Sequence, residues 1–186
     1  MKQQILLING EKIPLKEWQK THNLPYNKVS EHIYLTEVTN NHTIDSKLIL
    51  AETTISLFEK IRESLGNKPI NIIRGFSTQK KQNSIIKKYN KTKRQGLAAN
   101  VSTHTYGYAL DLDGESKKDI VTLRNTIVYV CHKINFPYYR IGWKKYLDAG
   151  MTSLHFDTAP FFFNHQNGNF KEDNVSYTWR IPKLEW

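Results

Sequence analysis

The stretch Val101-Ser-Thr-His-Thr-Tyr-Gly-Tyr-Ala-Leu-Asp-Leu-Asp113 decides how the rest of the chain is read. It sets His104 seven residues ahead of Asp111, with Gly107 between them. From Tyr108 onward the residues alternate: Tyr108, Leu110 and Leu112 fall on one face of a strand, and Ala109, Asp111 and Asp113 on the other. A histidine and an aspartate beside a glycine turn suit a borderline divalent metal such as zinc, but two ligands do not hold a site. Thr152-Ser-Leu-His-Phe-Asp157 repeats the pattern, with Leu154 and Phe156 pointing one way and Ser153, His155 and Asp157 the other. If the two strands are neighbours, His104, Asp111 and His155 converge on one face, and the intervening loop length costs little entropy. Two nitrogens and one oxygen with an open fourth position form a catalytic zinc arrangement, in which bound water has a pKa near ~7. His22, His32, His42, His132 and His165 show no comparable partner and read as ordinary hydrogen-bonded side chains.

The chain has 186 residues, enough for one domain with its own core. Aromatic residues are plentiful (Tyr 10, Phe 8, Trp 4), which argues against general disorder. No apolar run approaches the ~18 residues of a membrane helix. Met1 to Gly10 holds four consecutive apolar residues, too few for a secretory core, so either there is no signal or it has been removed. Cys131 is the one cysteine, which excludes a disulfide framework and a cysteine zinc cluster. The formal charge of +10 is concentrated: no acidic residue lies between Glu63 and Asp111, a span that holds Lys68, Arg74, Lys80, Lys81, Lys87, Lys88, Lys91, Lys93 and Arg94. Such a field suits a polyanion, or else a solvated helix face.

Taken in order, residues 1–32 read as an N-terminal arm with a short strand at Gln4–Ile8, a turn at Asn9-Gly10 and one helical turn at Leu15–Trp18, broken by Leu24-Pro25. A helix begins at Ile44, capped by Asp45 or Ser46, with Leu48, Ala51, Ile55, Phe58, Ile61 and Leu65 at helical spacing and Gly66-Asn67 closing it. Pro69–Ile73 reads as a buried strand and Gln79 to Asn90 as a second helix, with Ile85 and Ile86 inside and lysines outside. Residues 91–100 form a basic loop, and Ser116 caps a third helix that Pro137 ends. Tyr138–Trp143 is a strand, followed by a loop through Asp148-Ala-Gly150. The fold class is α+β, a small antiparallel sheet with helices packed on one side.

At these residues the chain resembles the M15 metallopeptidases, the zinc D-Ala-D-Ala carboxypeptidases and related peptidoglycan endopeptidases, which share a core with lysostaphin-type enzymes and the hedgehog signalling domain. Their first motif, Ser-x-His-x-x-Gly-x-Ala-x-Asp, is met by Ser102, His104, Gly107, Ala109 and Asp111. The second resembles the branch with Gly-Tyr/Trp, a loop and His-x-Asp, here Ile141-Gly-Trp143 and Leu154-His-Phe-Asp157. Ile33-Tyr-Leu-Thr-Glu37 and Ile73-Arg-Gly-Phe-Ser77 fit the upstream order. The resemblance covers about residues 33–163, leaving the arm 1–32 and a tail 164–186 packed on the domain.

The resemblance implies Zn2+ held by His104, Asp111 and His155. The family's substrate-holding arginine falls at Ser77, so Arg74, three residues earlier, takes that role, with Lys80 as the fallback. The glutamate of the carboxypeptidase branch falls at Thr152 and the histidine of the lysostaphin-like branch at Ser153. Asp157 is the carboxylate left, either as general base or as the group that orients His155. Ser102 would orient the substrate or the first ligand, and Tyr106, Tyr108 and Trp143 would wall the cleft or pack in the core. The implied activity is hydrolysis of amide bonds in peptidoglycan stem peptides or cross-links, by a carboxypeptidase or endopeptidase without a membrane span. It would act on the cell wall in the manner of a phage endolysin released by other means. The basic helix would suit anionic cell-wall polymers. Two other readings stand beside it: a non-catalytic zinc-binding module for peptide or glycan, and nucleic-acid binding through the basic stretch.

Overall fold

Residues 3–39, 41–92, 102–136, 139–159, 170–172 and 175–177 are described in the computed structural model. The chain opens with β1 (Gln3–Leu6) and β2 (Lys12–Pro14), which pair antiparallel around the expected Asn9-Gly10 turn. There Asn9 Oδ1 accepts from Glu11 N at 3.0 Å and Gly10 takes a φ of 87°, a conformation that glycine adopts without strain. Helix α1 (Leu15–Thr21) is longer than the single turn expected, and α2 (Leu35–Val38) follows. Trp18 Nε1 donates to Val29 O at 2.7 Å, and Leu15, Trp18, Val29 and Ile33 belong to the same apolar core as the rest of the protein.

The helix expected from Ile44 begins later. Leu48–Ala51 is a strand, β3, lying parallel to β1 with Ile5 opposite Leu50. Leu48 and Leu50 are buried while Ile49 is half-buried, so the run has the period of two that a strand shows. Helix α3 (Glu52–Ser64) starts after it with no side-chain cap, and Asp45 and Ser46 lie outside it. Glu52 instead accepts from Ile8 N at 3.0 Å. Gly66 and Asn67, both at positive φ, close α3 as expected, with Asn67 N donating to Arg62 O.

Strand β4 (Asn71–Arg74), helix α4 (Gln79–Tyr89) and a 3₁₀ turn (Thr103–Thr105) lead into β5 (Ala109–Asp113). Ser116 Oγ accepts from Asp119 N, capping α5 (Lys117–Lys133) as expected. Strand β6 (Arg140–Gly142), helix α6 (Lys144–Asp148) where a loop was expected, and β7 (Ser153–Asp157) complete the domain. Pro137, Tyr138 and most of the basic loop lie outside the described residues, as does most of the tail. Of the tail, β8 (Phe170–Glu172) and β9 (Val175–Tyr177) are described, paired antiparallel.

The architecture is α+β, and β4, β5, β7 and β6 form, in that order, an antiparallel sheet. Leu110, Leu112, Leu154 and Phe156 join Ile55, Phe58 and Ile61 of α3 and Ile120, Leu123 and Ile127 of α5 in one core. Each large side chain so buried contributes about 1.5–3 kcal/mol. The alternate residues of β5 and β7 are thereby turned to the other face. Among the described residues no helix is long and apolar enough to cross a membrane.

One close approach links the three-stranded sheet, in the order β2, β1, β3, to the turn before β5. Gly107 has a φ of +81°, Ala51 N donates to its carbonyl at 2.8 Å, and an added Cβ would lie 2.3 Å from Ile49 O. Gly107→Ala therefore meets both left-handed strain and a backbone clash on β3. It should destabilise the fold by at least about 2 kcal/mol in denaturant titration. An unchanged midpoint would mean that β3 yields freely.

Candidate metal centre

The register of β5 against β7 puts Asp111 directly opposite His155, so their side chains leave the sheet side by side. His155 Nδ1 lies 2.8 Å from Asp111 Oδ1. The 3₁₀ turn brings in His104, whose Nε2 is 3.1 Å from Asp111 Oδ1 and 3.1 Å from His155 Nδ1. These three residues are the group among the described residues whose ligand atoms converge closely enough to hold a metal ion. The face they occupy is covered, since His104 is 1 % exposed and His155 6 %.

Each imidazole is fixed by its other nitrogen. His104 Nδ1 lies 2.7 Å from Gly75 O, where it donates, leaving the Nε2 lone pair toward the cluster. Gly75 sits there because a Cβ would come within 2.6 Å of Val38 Cα, and Phe76 N donates to Val38 O beside it. His155 Nε2 lies 3.1 Å from Asp157 Oδ2, with Thr103 Oγ1 at 3.4 Å. Asp157 is 0 % exposed and is gripped by Arg140, whose Nε lies 3.1 Å from each of its oxygens and whose Nη2 lies 2.8 Å from Oδ2. Ala159 N donates to Oδ1 at 3.1 Å. Asp157 thus stands behind His155, on the nitrogen remote from the cluster.

Arg74 also reaches the site. A bulge between Ile72 and Arg74 sets it opposite Asp111, with Nη1 3.7 Å from Asp111 Oδ2. Lys80 is exposed on α4, and Gln82 is the α4 residue that bonds Arg74. Ser102 caps the 3₁₀ turn, its Oγ accepting from His104 N at 3.4 Å, and so holds the backbone of the first candidate ligand. Tyr106 stacks on Tyr108 at 6.0 Å between centroids, against a small cluster with Leu6, Ala51 and Ala159. Trp143 packs on the main core. His22, His32 and His42 find ordinary partners in Trp18 O, Glu59 and Thr36 O, and His165 lies outside the described residues.

Four contributors escaped sequence reading: the Gly75 carbonyl, Arg140, Gln82 and Tyr146. Tyr146, on α6, has its phenol pushed up by burial first and then by the charge of Asp111. Arg140 carried a legible signal, since an arginine opposite Asp157 in a two-residue alternation has to share its face.

No family model matches the chain, and no curated protein matches it.

Burial, helped by the Arg74 charge, pushes the His104 imidazole down to about 4. Burial opposes the charge on His155 too, yet its hydrogen bonds to Asp111 and Asp157 outweigh that and hold its imidazole above the ordinary value. Asp111 lies well below the carboxylate range because both imidazoles outweigh its burial, and Asp157 is lowered despite burial by Arg140 and His155. A metal must therefore displace a proton from His155 at any pH below its raised pKa, whereas His104 offers a free nitrogen there down to about pH 4. Competition against a chromophoric chelator should show affinity that rises with pH through the raised His155 pKa and then levels. Below it the affinity should fall about tenfold per pH unit; a flat profile would remove His155 from the ligand set.

Proposed function

We propose that the chain is a zinc-dependent peptidase acting on amide bonds of peptidoglycan stem peptides or cross-links. The observation that carries the reading is the convergence of His104 Nε2, Asp111 Oδ1 and His155 Nδ1 with each imidazole tied at its far nitrogen. Zinc with bonds of about 2.0 Å in a tetrahedron spaces its donors about 3.3 Å apart. The three separations here, 2.8, 3.1 and 3.1 Å, are close to that. Two imidazoles and one carboxylate also suit zinc better than calcium or magnesium, which favour all-oxygen sets. The ion would supply Lewis acidity toward a carbonyl and a water acidic enough to attack at neutral pH.

The substrate class rests on the resemblance of Ser102–Asp111 and Leu154–Asp157 to the M15 metallopeptidases. The α+β sheet with its ligands on the face away from α3 and α5 agrees with the hedgehog-like core that this resemblance implies. Within the site Asp157 takes the orienting role, holding the proton on His155 Nε2 while Arg140 keeps it ionised. Arg74 borders the cluster with its charge and can receive a substrate carboxylate or carbonyl at the same edge. Lys80, Lys81, Lys87 and Lys88 are exposed on α4 and give the protein a positive surface for an anionic wall.

A second reading is favoured by one observation. Both oxygens of Asp157 are engaged, and Thr152 and Ser153 hold no base, so the same centre would serve a zinc-dependent peptide- or glycan-binding module that does not turn over. Digestion of purified sacculi separates the two. With zinc supplied, new free amines and shortened muropeptides should be seen by amine labelling and mass spectrometry. His104→Ala and His155→Ala should each lower the rate more than about 100-fold. Stoichiometric zinc uptake with retained sacculus binding and no new amines would establish the module instead.

A further inference from the structure

Helix α4 is fixed to the protein in an unusual manner. Its apolar residues Ile85 and Ile86 are half-buried, and its one fully buried side chain is Gln82, 1 % exposed. A primary amide buried without partners is costly, so its contacts define why it is there. Gln82 Oε1 accepts from Arg74 Nη2. On the same guanidinium Nε donates to Ser77 Oγ at 3.1 Å. A guanidinium is planar, so two bonds at Nε and Nη2 fix the direction of Nη1. That nitrogen faces Asp111 Oδ2 at 3.7 Å, while Asp111 Oδ1 faces both histidines.

We propose that Gln82 is a positioning residue for the metal centre: with Ser77 it clamps the Arg74 guanidinium edge against Asp111 Oδ2, committing Oδ1 as the ligand oxygen. This rests on the metal reading of the cluster and is independent of any peptidase activity. An amide suits the task because its acceptor is neutral. It bonds Nη2 without forming a rival ion pair, and the Arg74 charge stays directed at Asp111. The lysines of α4 stand on its exposed side, so the helix carries its charge outward and Gln82 inward.

The test is metal affinity, measured by chelator competition, together with the visible spectrum of the cobalt(II)-substituted protein, which reports ligand geometry. Gln82→Met keeps length and volume but removes the acceptor. It should weaken zinc binding about 10- to 100-fold and shift the cobalt bands, with little change in the thermal midpoint of the metal-free protein. Gln82→Glu keeps an acceptor at the same reach but adds a charge that competes with Asp111 for Arg74, so it should also shift the cobalt bands. Arg74→Lys, which loses the planar fork, should reproduce the loss from the other side. The Gln82→Met/Arg74→Lys double variant should lose no more than Arg74→Lys alone, because one residue acts through the other. Unchanged affinity and spectrum in Gln82→Met, or additive losses in the double variant, would overturn the proposal. If Gln82→Met does not fold, Gln82→Glu and Arg74→Lys decide: both must shift the cobalt bands, and wild-type bands in either would overturn the proposal. A wild-type chain that bound no metal would sink the metal reading itself, a result distinct from failure of the clamp.

Discussion

The pairing of β5 with β7 is the constraint on which the site depends. Asp111 faces His155 and Leu110 faces Phe156, so one register serves core and ligands together. A slip of one residue would turn Leu110 and Leu112 outward and bury Asp111 in their place, which the apolar face forbids. The hydrophobic core therefore fixes ligand geometry through the alternation of the strands. The centre needs no separate scaffold of its own.

What the sheet cannot provide comes from the turns around it. His104 lies outside the sheet and is aimed by a carbonyl, Gly75 O, which is itself set by contact with Val38. His155 is aimed by Asp157, which is held by Arg140 on the neighbouring strand. Both imidazoles are thus oriented by groups that touch no other ligand. Such outer partners keep the ligand atoms near a metal geometry and limit rearrangement on binding.

The convergence of the three candidate ligands was legible because its signal is local. Alternation in Tyr108–Asp113 and in Thr152–Asp157 is visible within six residues, and it is the same alternation that places them. Leu48–Ala51 was misread because Leu-Ile-Leu-Ala fits a helical stripe as well as a strand. What decides it is pairing with β1, more than forty residues away in sequence. Lys80 drew attention by its charge, yet the helical turn of α4 carries Lys80 outward and Gln82 inward. A backbone carbonyl such as Gly75 O leaves no trace in composition, and Tyr146 acquires its setting only from the placement of α6.

Gly107 carries a wider consequence. Its backbone is pressed on β3 at Ile49, and β3 is held in turn by β1 from the first residues of the chain. The ligand turn is therefore cast against a mould that the N-terminal segment supplies. Shape information passes from Gln3–Leu6 through Leu48–Ala51 to the backbone between His104 and Asp111. The segment that looked most like an appendage thereby belongs both to the main core and to the remote support of the candidate metal centre.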